Sequence, residues 1–405
     1  MKRIQGIVFF AAAVFLGLWN SPFARGEEFL YKHEAGDKYR IISTVKEDVF
    51  IDRRLSHTAE ILNRIAVEVT GIEGMWGRHK AVFQTSERSA EAGGGRSFQW
   101  SREYESEFRR DRLGYLSIES RYFMPVVRNV PVFPGRELAP GERWSADGHE
   151  MHDFRDSFGI PNPYRIPFTA NYVFLGDREW KGETYPAFSV SYRIFSEPAP
   201  VAGKVWPRRI MGASDQIVFW DGAVGQPAAY EESFRMVFDL SNGMTIEYRG
   251  TAEAEIIESK RMDKERIAEE ISDDISRLGI TDADVRVVDE GITISLEDIQ
   301  FEADTANMLS GEREKLDKIA EILLRYSDRD ILVSGHTALA GSEAGRMRLS
   351  AERAGVIADY LIERNVRSSD RVVVRGYGAE RPVADNSTEA GRRKNRRVEI
   401  TLLEN

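Results

Sequence analysis

Residues 335–354 read GHTALAGSEAGRMRLSAERA and directly follow the apolar run ILVS at 331–334. The glycines at both ends of GHTALAG favour a loop after a strand, and the apolar spacing that follows predicts a long helix over about 342–365. Backbone amides at the start of such a helix are suited to an anionic ligand. Arg353 lies on the same helix, and its guanidinium matches a carboxylate. The stretch therefore predicts a strand, a ligand-facing loop and a helix.

The sequence on both sides of this stretch predicts further elements of the same unit. In chain order, the segment 280–405 predicts a hairpin of two strands, a helix, a strand, the long helix and two more strands. This order is typical of an α/β sandwich with its helices on one sheet face. The preceding segment, 258–279, is charged and has apolar residues at helical spacing, which predicts a helical linker.

The segment 27–257 alternates apolar and polar residues as strands do, with frequent turn residues. The clearest example places two alternating runs on either side of Asn242-Gly243, a step that accepts positive φ and favours a hairpin. We predict an antiparallel, β-rich extracytoplasmic domain, built as a sandwich or an open barrel. The whole chain would then be α+β, with two domains.

An outer-membrane, porin-like β-barrel with the same C-terminal domain is the alternative for the β-rich segment. A spanning strand needs about 9 to 11 residues with a continuously apolar outward face. The most aromatic candidate face lies in 98–108, and Arg102 falls in its middle. Such a charge would cost about 2 to 4 kcal/mol at the bilayer midplane, so the sequence favours the soluble form.

The composition excludes several classes of function. The 405 residues include no cysteine, which excludes disulfides, thiolate zinc sites and thiol nucleophiles. The net charge of −10 has the wrong sign for a nucleic-acid partner. The sequence HEMH at 149–152 lacks the spacing that puts two histidines on one helix face, and Glu231 and Glu232 do not suggest a glycosidase site. We predict a protein that is not an enzyme and holds no metal or cofactor.

Residues 1–26 have the pattern of a secretory signal. Two basic residues precede the apolar run IVFFAAAVFLGLW at 7–19, and Ala24 and Gly26 are small residues suited to cleavage. The run is shorter than the roughly 20 residues needed to cross a bilayer. We predict cleavage after Gly26 and a location in the periplasm or cell envelope. The alternative is an uncleaved inner-membrane anchor, as in a motor or stator subunit.

Residues 335–398 resemble the OmpA-like C-terminal domain. The first half of the family pattern is G-H-T-D-x-x-G, an Asn five residues later, and L-S-x-x-R-A. This sequence matches it at Gly335, His336, Thr337, Gly341, Leu349, Ser350, Arg353 and Ala354, with Ala338 in place of the Asp and Arg346 in place of the Asn. The second half, G-x-G, P and N-x-T-x-x-G-R-x-x-N-R-R-V, is complete at Gly376, Gly378, Pro382, Asn386, Thr388, Gly391, Arg392, Asn395, Arg396, Arg397 and Val398. The resemblance covers roughly 285–405.

The resemblance implies non-covalent binding of peptidoglycan and a link from it to another envelope component. In the family, the motif Asp and the Arg of L-S-x-x-R-A hold the charged groups of the diamino acid in the stem peptide. The ligand-binding residues that it implies here are Thr337, Arg346, Arg353, Asn386, Arg392 and Arg396. Outer-membrane or periplasmic proteins are the expected further partners.

The alanine at 338 leaves three interpretations open. Deleting one member of a buried charge pair typically costs about 2 to 5 kcal/mol, so the ligand chemistry should differ from the family's. In the first, the site binds a stem peptide of different chemistry, with Arg346 as a second cation. In the second, Glu343 or Asp385 replaces the lost acid. In the third, the domain is a degenerate OmpA-like fold that serves protein–protein contacts.

Overall fold

The computed structural model describes residues 26–89, 97–160, 163–258, 262–280, 282–297, 308 and 311–404. The predicted secretory signal, residues 1–26, lies outside the described residues except for Gly26. In the described part of the chain, none of the helices combines the length and the apolar character that crossing a membrane requires.

The N-terminal part is built from long strands whose residues alternate between a buried and an exposed face. The strands are β1 (Lys38–Ile51), β2 (Arg54–Glu73), β3 (Trp76–Ser89), β4 (Phe98–Asp111), β5 (Leu116–Ile118), β6 (Val127–Arg128), β7 (Arg143–His152), β8 (Tyr164–Trp180), β9 (Glu183–Ser196), β10 (Pro207–Asp221), β11 (Gln226–Leu240) and β12 (Thr245–Glu258). One short helix, α1 (Arg155–Phe158), lies between β7 and β8. The predicted β-rich segment is confirmed.

Neighbouring strands of this part pair antiparallel. Their spatial order is β5-β4-β3-β2-β1-β12-β11-β10-β9-β8-β7-β6. The hairpin predicted at Asn242-Gly243 joins β11 to β12, and Gly243 has φ +89° as the turn requires. No strand pair joins β5 to β6 within the described residues, so the sheet does not close on itself.

Aromatic side chains fill the core between the strands. Phe29, which precedes β1, has its ring within 5.2 to 5.4 Å of the rings of Phe133, Phe174 and Phe188. Trp220 on β10 is 1% exposed and packs against the same cluster. Because each large aromatic buries about 150 to 250 Å², this cluster holds the segment before β1 onto the sheet.

The C-terminal part alternates helices and strands. Its elements are α2 (Lys264–Arg277), β13 (Ala283–Val288), β14 (Gly291–Glu297), α3 (Glu312–Leu324), β15 (Ile331–Gly335), α4 (Glu343–Glu363), a 3₁₀ turn (Ser369–Arg371), β16 (Val372–Gly376), α5 (Glu389–Asn395) and β17 (Arg397–Leu403). The strand order is β13-β14-β17-β15-β16, and only β15 and β16 run parallel among these pairs. The predicted α/β part is therefore present.

Helices α2, α3 and α4 cover this sheet with apolar residues. Ile271, Ile319 and Ile357, one from each helix, are fully buried in one core with Ile294 and Ile400 of the sheet. Helix α2 occupies most of the segment predicted as a linker, yet it packs into this core. Helix α2 packs there because Ile267, Ile271 and Ile275 are spaced four residues apart and lie on one face of the helix.

The two parts share a continuous sheet. The start of β4 pairs parallel with β16, at Phe98 with Val373 and Gln99 with Val374. Strand β16 is otherwise the edge of the C-terminal sheet, and an exposed edge readily accepts another strand. The β-rich part thus occupies the edge beside which the motif loops lie.

Candidate functional site

The loop after β15 begins where strand and helix approach closely. A side-chain carbon added at Gly335 would lie 2.0 Å from the backbone oxygen of Ser350 on α4, so only glycine fits there. Helix α4 starts at its cap Ser342, whose Oγ accepts a hydrogen bond from the amide of Gly345 at 3.2 Å. The glycine and the cap together place the loop 336–342 at the first turn of α4.

Backbone hydrogen bonds join this loop to the loop after β16. The amide of Thr337 donates to the oxygen of Gly378 at 2.8 Å. The amide of Gly378 donates to Oγ of Ser350 at 2.9 Å, and Ser350 is fully buried. Three predicted motif segments therefore meet at one place. Sequence reasoning gave Ser350 no role in the site, although its position in the L-S-x-x-R-A motif was a signal that could have pointed to one.

Two of the predicted ligand-binding residues present unused polar atoms here. The Oγ1 atom of Thr337 and the Nε atom of Arg346 are buried and have no hydrogen-bond partner in the described protein. Arg346 is fixed by its Nη1, which donates to the oxygen of Gly341 at 2.6 Å. Buried polar groups are nearly always paired, so these two atoms are candidates for pairing with a ligand.

Arg346 and Arg353 lie on the same face of α4. Seven residues separate them, which is about two helical turns. Ser350, between them, contacts the loop after β16, so this is the face that borders the motif loops. Arg353 is half-buried. The face carries two cations spaced along the helix, and both are of the type that binds carboxylates.

The position of the family Asp is apolar and enclosed. Ala338 is 7% exposed, and its oxygen accepts a hydrogen bond from the amide of Ala340 at 2.9 Å. Glu343 lies exposed in the first turn of α4. Asp385 is exposed and accepts hydrogen bonds from the amide and the hydroxyl of Ser387, which lower its pKa. Glu343 is thus exposed to solvent rather than enclosed like Ala338, and the carboxylate of Asp385 is already occupied by hydrogen bonds from Ser387.

The other three predicted residues build the wall of the loop. Asn386 accepts hydrogen bonds through Oδ1 from the amide of Leu339 at 3.1 Å and from Asn395 at 3.0 Å. Arg392 donates to the backbone oxygen of Asn386 at 3.0 Å. Arg396 pairs with Glu389 at 2.8 Å. These side chains therefore hold the loop after β16 against the loop after β15.

His336 is held beneath the loop. Its ring stacks on Tyr377 with the centroids 5.2 Å apart, and Nε2 lies 3.4 Å from Oε2 of Glu399. Burial lowers the pKa of His336 despite this carboxylate. A neutral, stacked imidazole orients the turn between β15 and α4.

The HEMH sequence at 149–152 lies in β7. Nε2 of His152 is 2.7 Å from Glu150, and the hydroxyl of Tyr192 also donates to Glu150 at 2.9 Å. In the part of the chain that the structure describes, no three side chains of the metal-binding types gather as a site.

Residues 300–396 match the family model described as OmpA family, which confirms the resemblance seen in the motifs. Peptidoglycan-binding protein ArfA of Mycobacterium tuberculosis is 39% identical over 104 residues, which are 26% of this chain and 32% of that protein. Outer membrane porin F of Pseudomonas aeruginosa is 32% identical over 139 residues, 33% of this chain and 39% of the porin.

Among solved structures, an outer membrane protein from Borrelia burgdorferi B31 is 36% identical, with 30% of this chain and 96% of that chain covered and a TM-score of 0.25. The chain spans only about a third of the length of the two curated relatives. The names of the relatives agree with the predicted location in the cell envelope.

Proposed function

We propose that this protein binds peptidoglycan non-covalently through residues 280–405, without catalysing a reaction, and links it to another component of the envelope. The observation that carries the proposal is the pair of buried, unpartnered atoms at the motif loop, Thr337 Oγ1 and Arg346 Nε. The name of the relative ArfA, which states peptidoglycan binding, supports the same ligand class.

The ligand should be held through its carboxylates. Arg346 and Arg353 supply two cations on one face of α4, whereas the enclosed Ala338 offers no charge to an ammonium group. A stem peptide whose acidic groups contact these arginines fits this arrangement better than one that depends on a charged amine. Of the three interpretations, the first, a stem peptide of different chemistry, is therefore the one that we propose.

The test is co-sedimentation of the full chain with isolated peptidoglycan sacculi. Arg353→Ala should weaken binding by about tenfold or more, because a charge-assisted hydrogen bond is lost. The matched control is Arg348→Ala, since Arg348 lies on the same helix but its side chain is 79% exposed. Absence of the intact protein from the sacculus pellet would reject wall binding.

A further inference from the structure

A recess of about 1260 Å³ lies where the β-rich part meets α2 and the β13–β14 hairpin. Its walls include the segment before β1, the sheet at β3 and β4, and the hairpin ends of β8–β9 and β10–β11. None of the residues that line it belongs to the motif segment 335–398. It is therefore a site separate from the proposed peptidoglycan site.

Arg110 on β4 lines this recess without an acidic partner. Its guanidinium stacks on Tyr31 at 4.7 Å, and its Nε is buried without a hydrogen bond in the described protein. Arg109, the preceding residue, does have an acidic partner, because it pairs with Glu73 and also stacks on Trp76. A cation withdrawn from water needs a compensating anion, and none of the described side chains supplies one to Arg110.

Two histidines stand beside this arginine with unused ring nitrogens. The rings of His33 and His79 lie 5.1 Å apart at 80°. Nε2 of His33 and Nδ1 of His79 are buried without a partner in the described residues, and His79 is only 3% exposed. Burial, together with the charge of Arg110, lowers the pKa of His79 to about 3, so its imidazole is neutral at neutral pH. Three unsatisfied polar atoms thus lie around one recess.

The mouth of the recess is negatively charged, whereas its buried wall carries the cation Arg110. The four lysines that line it are already engaged: Lys181 pairs with Glu255, Lys264 with Glu404 and Lys38 with Glu68, and Lys32 donates to the oxygen of Gly222. Five exposed acids also line the recess, namely Glu34, Asp37, Glu183, Glu265 and Asp289. The recess is thus positive at its buried wall and negative at its exposed rim.

We propose that this recess binds a small zwitterionic carboxylate, an amino acid or a short peptide. The carboxylate is received by Arg110, and the ammonium group faces the acids of the rim. The guanidinium supplies parallel N–H donors to the carboxylate. The N–H groups of His33 and His79 donate to backbone oxygens, so their unused nitrogens are acceptors for an N–H of the ligand. The recess, at about 1260 Å³, is larger than ordinary ligand pockets, which measure about 300 to 1,000 Å³. An amino acid or a short peptide therefore fits inside it.

Titration calorimetry of the full chain with the dipeptide Ala-Ala, with acetate and with inorganic phosphate tests this proposal. We expect Ala-Ala to bind more tightly than acetate, and Arg110→Gln to weaken it by about tenfold or more. Arg109→Gln, one position away on the opposite strand face, should leave the affinity unchanged. Circular dichroism and the melting temperature confirm that each variant is folded, and His79→Gln replaces Arg110→Gln if that variant is not.

Three outcomes would overturn the proposal. These are no heat from Ala-Ala with the wild-type chain, equal affinities of the wild-type chain and the Arg110 variant, or phosphate binding more tightly than Ala-Ala. The double variant Glu34→Gln, Glu183→Gln should reduce the advantage of Ala-Ala over acetate, because it removes charge from the rim.

Discussion

Arg64 on β2 and Asp330, directly before β15, form a buried ion pair, with Nε and Oδ2 3.2 Å apart across 266 positions of sequence. Arg40 and Arg371 lie 3.5 and 2.8 Å from the same carboxylate. Burial raises the pKa of Asp330, but the three guanidinium charges outweigh burial and hold it below its ordinary value. One carboxylate thus joins the β-rich part to the C-terminal part.

Replacing Asp330 by asparagine should lower the free energy of unfolding by about 3 to 5 kcal/mol, because Arg64 and Arg40 would remain buried without their acid. Chemical denaturation of the full chain measures this. Glu119→Gln is the control, since the side chains of Glu119 and of its partner Arg121 are 70% and 64% exposed, and it should cost less than about 0.5 kcal/mol. Equal losses in the two variants would contradict the role of the buried cluster.

Acid should destabilise the protein through His79 as the pH falls below about 6.5. The pKa of His79 is about 3 in the folded chain against 6.5 for an unperturbed histidine, so the unfolded chain binds the proton first. The stability contributed by neutral His79 is complete above pH 6.5 and is lost as the pH falls toward 3. One such group changes the free energy of unfolding by at most about 1.4 kcal/mol per pH unit.

Urea denaturation at pH 7, 6 and 5 checks this dependence. In His79→Gln the free energy of unfolding should fall less steeply over this range than in the wild-type chain. Some slope should remain, because burial also lowers the pKa values of His33, His149 and His336. An unchanged slope in the variant would show that His79 does not titrate as inferred.

Restoring the family acid at position 338 should change ligand preference. Ala338→Asp should raise the affinity for sacculi that contain diaminopimelate by about tenfold, because it returns an anion for the amine of the diamino acid. Leu339→Asp introduces the same charge at the next residue, which is 60% exposed, and should have little effect. Sacculus co-sedimentation of both variants compares them. A larger gain for Leu339→Asp would mean that net charge alone controls binding.

Ser350→Ala should loosen the motif loops. The variant leaves the amide of Gly378 without its acceptor in a buried position, at a cost of about 1 to 3 kcal/mol. Thermal unfolding should show the lower stability, and hydrogen exchange should become faster at Gly378. Ser276→Ala is a suitable control, because that hydroxyl bonds within an exposed turn of α2. Unchanged exchange at Gly378 would argue against this hydrogen bond.

Local patterns predicted the elements that depend on neighbouring residues. The turn at Asn242-Gly243, the strand before Gly335 and the helix that follows Ser342 all appear as the sequence indicated. Helix α5 was not among the predicted elements, although Thr388 supplies a cap for the amide of Gly391.

The sequence by itself determined the α/β part, its motif loops and the family to which they are similar, because spacing along the chain places these residues on common faces. Tertiary structure alone decided that β4 extends the sheet at β16, that Asp330 binds two arginines of the β-rich part, and that Arg110 lines a recess without an acidic partner of its own. These relationships join residues far apart in sequence, and no local period encodes which distant strand or charge will be the partner.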